Sequence, residues 1–162
     1  MARALLPVEE SLVLLAETPA LLTECARGLT PAQLRSTPRF GGWSELEVLG
    51  HLRACADMWG GSALEILRDN ARPIRAVNPR TWIEQTEYLD QELARSLRAY
   101  KSQRTRLLWV IGRLAPAEWA RSATVTSAGR PLERSVHFYA QWMARHDRSH
   151  HSQIRAIAAS FA

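Results

Sequence analysis

Two cysteines, a single lysine and the lack of any long apolar run set the first limits on this 162-residue chain. Cys25 and Cys55 are too few for a disulfide scaffold, which agrees with a reducing compartment. The N-terminal Met1-Ala2-Arg3-Ala4-Leu5-Leu6-Pro7 runs into Glu9 and Glu10 with no stretch apolar enough for a signal peptide or membrane span. The sequence therefore reads as cytoplasmic. Internal repeats and low-complexity segments are lacking too. The scarcity of lysine shapes the charge reading, because the net charge of +5 and the pI near 10.0 come from arginines scattered along every segment. The densest run, Arg95, Arg98, Lys101, Arg104 and Arg106, lacks the regularly spaced stacking aromatics that single-strand binders use. It reads as a solvated helix face, and no nucleic-acid partner is expected. What remains, 46% apolar and 23% charged residues, is ordinary for one globular domain with a continuous core.

Helical periodicity fills most of the chain. A first helix is expected over Val8 to Arg27, kinked or broken at Pro19, where Thr18 is placed to cap a second start, and stopping at Gly28. Thr30-Pro31 opens a short turn. The strongest local signal is Trp43-Ser44-Glu45-Leu46-Glu47-Val48. Ser44 and Glu47 make a capping box, and Trp43 and Val48 are placed for a hydrophobic staple. A second helix should run from there to about Asn70, its apolar face on Val48, Leu52, Cys55, Trp59 and Ile66. A third starts at Asn78-Pro79 and continues to about Leu114, with a break between Thr86 and Asp90. Pro116 to Trp119 is a short turn, and Ser122 to Gly129 is a brief extended piece without a sheet. Pro131 opens the last helix, to about Ser160. Four long helices predict an all-α four-helix bundle, a fold that places metal sites between facing helices.

On the last helix, Leu132, Val136, Tyr139, Met143, His146, His150, Ile154, Ile157 and Phe161 recur in steps of three and four, which puts them on one inward stripe. Two imidazoles thus stand where apolar residues belong, one turn apart, able to point at a common atom. Neutral imidazole is the commonest protein metal ligand. His51, on the shoulder of the second helix's apolar face, is the natural third corner. Three histidines either leave a position for water or substrate, as catalytic metal sites require, or are core histidines satisfied by hydrogen bonds. His137 lies about half a turn out of phase with His146 at ~100° per residue, and His151 points off the stripe. Cys55, one turn beyond His51, is either a fourth ligand or a small residue in a packed seam. Glu47 is either a cap alone or also a carboxylate orienting His51. Gln153 either hydrogen-bonds a ligand water or simply edges the stripe. Arg104 falls on the inner line between Tyr100 and Leu107, snorkelling outward or reaching between the helices.

The set Gly42-Trp43-Ser44, Glu47-x-x-x-His51-Leu52, Arg104, Glu118-Trp119-Ala120-Arg121 and His146-Asp147-x-x-His150-x-x-Gln153-Ile154 resembles the DinB/YfiT-like metalloprotein superfamily. The likeness runs from about Leu12 to Ile157. It implies an up-down-down-up bundle with a long crossover, often a homodimer, and a divalent metal, zinc or nickel, held by His51, His146 and His150. Relatives of this kind include bacillithiol S-transferases and mycothiol-dependent isomerases, in which the metal lowers the thiol's pKa. The resemblance therefore implies a thiol S-transferase or isomerase acting on a low-molecular-weight thiol and a small electrophile. Arg104 would hold the cofactor's carboxylates, or else bridge to an acidic residue. The alternatives are a hydrolase using metal-bound water with Glu47 or Gln153 assisting, and a non-catalytic, damage-inducible metal-binding protein. Histidine ligation also predicts that the metal leaves as the imidazoles protonate, around or below ~6.5.

Overall fold

The computed structural model describes residues 4–69 and 72–162. Four long helical segments pack into a bundle: α1 (Val8–Ala26), the run α3 (Glu45–Cys55) to α4 (Gly61–Arg68), α6 (Leu93–Ile111) and α8 (Val136–Ala159). Helix α1 lies against α8 and α6, and α3 lies against the same two from the other side. Short helices α2 (Pro31–Arg35), α5 (Pro79–Ile83) and α7 (Pro116–Trp119) punctuate the connections. Each of these begins with proline at its first position, where the missing N–H costs nothing.

Local chemistry accounts for most boundaries. The Ser44 hydroxyl accepts from the Glu47 N–H at 3.3 Å, while the Glu47 carboxylate accepts from the Ser44 N–H at 2.7 Å, which fixes the start of α3. Gly28, at φ +88°, takes the left-handed conformation just past α1. The third helix does break, as α5 and α6 separated by a loop at 84–92. The end expected for the second helix at Asn70 lies outside the described residues.

Three expectations give way. Helix α1 does not restart at Thr18–Pro19 but runs through it. The Thr18 hydroxyl donates back to the Leu14 carbonyl at 2.9 Å, and packing of this buried segment outweighs the one backbone bond proline removes. Residues 122–126 do belong to a sheet. Strand β2 (Ser122–Thr126) pairs in parallel with β1 (Ile74–Arg75) and antiparallel with β3 (Leu132–Ser135). Ala123 and Val125 are buried in alternation, and the Ser122 and Thr124 hydroxyls donate across the ladder to Glu133. The last helix consequently starts at Val136 rather than Pro131, with Ser135 accepting from the Phe138 N–H at 3.0 Å. Leu132 fits the helical period by coincidence and sits on a strand.

The core is split. One apolar cluster contains Leu15, Ile66, Leu107, Ile111, Val136 and Met143; the other contains Leu22, Leu52, Tyr100, Ile154 and Ile157. On three of the long helices a polar residue falls between the two: Thr18 on α1, Arg104 on α6, and His146, Asp147 and His150 on α8; on α3, Cys55 stands between Leu52 and Ala56 of the second cluster. A polar layer inside a bundle is stabilising only when its members satisfy one another, so its bonding pattern decides what it is for.

Candidate metal centre

The layer is built from two helices that each present residues four apart. Helix α3 supplies His51 and Cys55, and α8 supplies His146 and His150. The Nε2 of His146 lies 3.0 Å from the Nε2 of His51 and 3.2 Å from the Nε2 of His150. The Cys55 Sγ lies 3.5 Å from the His51 Nε2 and 3.9 Å from that of His146. His51 is 9% exposed, whereas the His146 side chain keeps 20% exposure and His150 is half-buried, so the group sits at the edge of the bundle.

Burial holds the imidazoles neutral. His51 is pushed down to about 4 by burial, with the neighbouring His150 and Arg80 adding to it. His146 is pushed down to about 3 by burial, then by His150, His51 and Arg104. Burial also lowers His150, against a raising effect from its bond to Gln153. Neutral rings are the ligating form. A tetrahedral centre with metal–nitrogen bonds of about 2.0–2.1 Å has its nitrogens about 3.3–3.4 Å apart. The two separations from the His146 Nε2, 3.0 and 3.2 Å, are within a few tenths of an ångström of that. The residues fit a divalent cation.

The surroundings orient the rings. Gln153 Oε1 is 2.7 Å from the Nδ1 of His150, which holds the proton there and turns the lone pair of Nε2 inward. Asp147, 2% exposed, is held by the Arg104 Nη2 at 3.0 Å and by the Tyr100 hydroxyl at 3.3 Å, and Arg104 Nη2 also donates to that hydroxyl at 2.7 Å. The other Asp147 oxygen faces the His146 Nδ1 across 4.0 Å. Aromatic rings flank the three imidazoles: Trp43 stands 5.0 Å from His51 and 6.4 Å from His150, and Trp59 stands 4.9 Å from His146, centroid to centroid. Arg80, exposed on α5, lies 5.5 Å from the centre of the Trp43 ring. Asp57 accepts from Trp82 at 3.0 Å, from Tyr88 at 2.5 Å and from Gln103, which pins the α5 loop beside the site.

A sequence model of the DinB superfamily matches residues 14–154. The chain belongs to that superfamily. Among solved structures, YfiT from Bacillus subtilis superposes with a TM-score of 0.77 over 98% of this DinB chain and 91% of the other, at 19% identity. YfiT is described as a probable metal-dependent hydrolase with an unusual four-helix bundle topology, and at this identity the likeness shows the shared bundle fold. No curated protein matches the chain.

Of the residues singled out from sequence, His51, His146, His150 and Cys55 come together, and Gln153 joins them through a ring nitrogen. Glu47 is exposed, with its carboxylate engaged in the α3 cap. Arg104 lies beneath the rings, 2% exposed, with Nε and Nη1 lacking hydrogen-bond partners among the described residues. His137 bonds the Leu6 carbonyl at 2.6 Å, and His151 the Thr18 hydroxyl at 3.0 Å, so both are engaged elsewhere. Arg80, Trp59 as a wall of the site and Asp147 as an orienting group escaped sequence reasoning. Asp147 left a trace as the residue beside His146 in the quoted motif, and Trp59 as a member of the second helix's apolar face, whereas Arg80 left none.

Proposed function

We propose that this DinB-family chain is a divalent-metal-dependent enzyme that joins a low-molecular-weight thiol to a small electrophile. In this reading His51, His146 and His150 hold the cation, zinc or nickel, and the protein works as the homodimer that the family resemblance implies. The observation that supports the reading is the His146 Nε2 standing 3.0 Å from the His51 Nε2 and 3.2 Å from the His150 Nε2 at a partly open edge of the bundle. A cation bound there stabilises a thiolate, and so supplies a nucleophile at neutral pH.

The chain's own residues do the rest. Gln153 fixes the tautomer of His150, and Asp147, itself held by Arg104 and Tyr100, faces the outer nitrogen of His146. Trp43 and Trp59 offer apolar faces to an electrophile. Arg80 beside Trp43 is suited to the malate carboxylates of bacillithiol or, as a hydrogen-bond donor, to the sugar hydroxyls of mycothiol. The thiol reading takes precedence because the neighbouring carboxylates already have partners: Glu47 in the cap, Asp147 on Arg104, Asp57 on Trp82 and Tyr88. A thiol with an ordinary pKa of about 8.5 ionises beside a cation without a strong base, whereas water asks for more help.

Hydrolysis is the second reading, favoured by the fold shared with YfiT. The two are separated by assaying zinc- or nickel-loaded protein on an aryl halide electrophile with mycothiol, bacillithiol or glutathione, and on ester and amide probes without thiol. Conjugation that depends on both metal and thiol is the expected result. Turnover of the esters alone would transfer the proposal to hydrolysis, and failure of all three thiols to bind the loaded protein would end the thiol reading.

A further inference from the structure

We infer that Cys55 is a fourth protein ligand of this centre, so that α3 and α8 each contribute an i, i+4 pair, His51 with Cys55 and His146 with His150. The inference rests on the proposed metal reading and concerns which of the chain's atoms hold the ion. Cys55 is 2% exposed, and among the described residues the hydrogen-bond-range contacts of its sulfur are to imidazole nitrogens: the His51 Nε2 at 3.5 Å, its Nδ1 at 3.9 Å and the His146 Nε2 at 3.9 Å. A cysteine serving only as a small packing residue would lie among apolar atoms. In a tetrahedral site with bonds of about 2.3 Å to sulfur and about 2.0–2.1 Å to nitrogen, the sulfur–nitrogen edge is about 3.6 Å. The edges to the His51 and His146 Nε2 atoms, 3.5 and 3.9 Å, lie within a few tenths of an ångström of that value. Among the described residues, His51, Cys55 and His146 each bring a ligand atom within 4.8 Å of the other two, while His150 lies outside that group and joins it through the His146 Nε2 at 3.2 Å.

The backbone supplies a second, independent observation. Helix α3 ends at Cys55, and the next five residues, Ala56–Gly60, form a π-helical turn before α4 resumes. Such insertions change the phase of a helix and gather at functional sites. Here the change falls just after Cys55, so His51 and Cys55 keep strict i, i+4 alignment while Trp59 is brought round to His146.

Coordination forms one sulfur–metal bond in place of the S–H bond, the proton passes to buffer, and no electron is transferred. Four protein ligands would fill a tetrahedral shell. Turnover would then require either a fifth position or release of Cys55.

X-ray absorption at the zinc edge of the zinc-loaded full chain tests this, read for scatterer type and distance. The expected spectrum has one sulfur at about 2.3 Å beside nitrogens at about 2.0–2.1 Å. Cys55→Ala should lose the sulfur shell and keep the nitrogens, with parallel loss of the thiolate-to-cobalt charge-transfer band in cobalt-loaded protein. Should Cys55→Ala fail to fold, Cys25→Ala serves instead: with only two cysteines in the chain, a sulfur shell retained there assigns it to Cys55. Bound zinc with a nitrogen and oxygen shell alone, or a sulfur shell that survives in Cys55→Ala, overturns the inference while the three-histidine reading stands. Absence of bound zinc overturns both.

Discussion

His150 is oriented by one bond, from its Nδ1 to Gln153 Oε1 at 2.7 Å, and that makes Gln153 a residue whose removal should be felt at the metal. Loss of such an outer partner costs roughly 10–100-fold in metal affinity. Gln153→Ala is expected to weaken zinc binding by that factor in a competition titration; unchanged affinity would show that the ring is held by packing alone. The same residue scale sets a pH dependence. His51 and His146 sit at about 4 and about 3 in the folded chain, below the ordinary 6.5, because burial disfavours their charged forms. Below pH 6.5 the unfolded chain takes up protons at these positions and the folded chain does not. Stability of the metal-free protein should therefore be fully present above 6.5 and decline as pH falls toward about 4 and below. Urea titrations of chelator-treated protein between pH 7 and 4 measure this, and a shallower loss of stability in His51→Gln/His146→Gln than in the wild type would assign it, with Glu45, pushed up to about 7 by burial, contributing the opposite slope in both. Depressed values also move the expected release of the cation below the ~6.5 inferred from unperturbed imidazole. The histidines were legible in sequence because helical phase alone puts 146 and 150 on an otherwise apolar stripe. Burial was not legible, and burial is what shifts the protonation edge.

Among the elements, α3 carries the largest local signal, and its cap separates two roles that sequence left open for Glu47. The reciprocal bonds between Ser44 and Glu47 are a property of the helix start. Ser44→Ala should cost about 1 kcal/mol, a fall in melting temperature of roughly 2–4 °C for a chain of this size. Glu47→Gln, which preserves a capping side chain, should leave turnover unchanged; a large loss of kcat with intact folding would instead give Glu47 a chemical task. The capping box could be read from four residues because it is a local interaction. The sheet could not: β2 has partners in β1, some fifty residues earlier, and in β3, whose Leu132 also satisfies the period of the following helix. Helix α1 shows the same limit, since tertiary packing carries it through Pro19 where local preference would break it. The π-helical turn after Cys55 likewise has no signature in residue type.

At the scale of the whole molecule, the polar layer divides two apolar clusters, and the buried Arg104–Asp147 pair joins α6 to α8 across it. Both side chains are almost completely inaccessible, so removing one leaves the other charge uncompensated. Arg104→Ala is expected to lower stability by about 3–5 kcal/mol, read from urea unfolding. A loss below 1 kcal/mol would mean that water enters the layer freely. Among the described residues no helix is long and apolar enough to cross a membrane. The bundle itself was legible because four amphipathic segments leave few other ways to bury their stripes. The walls of the site were not, because Trp43, Trp59 and Arg80 meet the histidines only once α3, α5 and α8 are assembled. Metal content after zinc loading and removal of free ion tests the central claim most directly, compared between the wild type and His146→Ala. About one tightly bound zinc per chain is expected in the wild type and almost none in His146→Ala, with both proteins folded. Equal zinc in the two, or none in either, would contradict it.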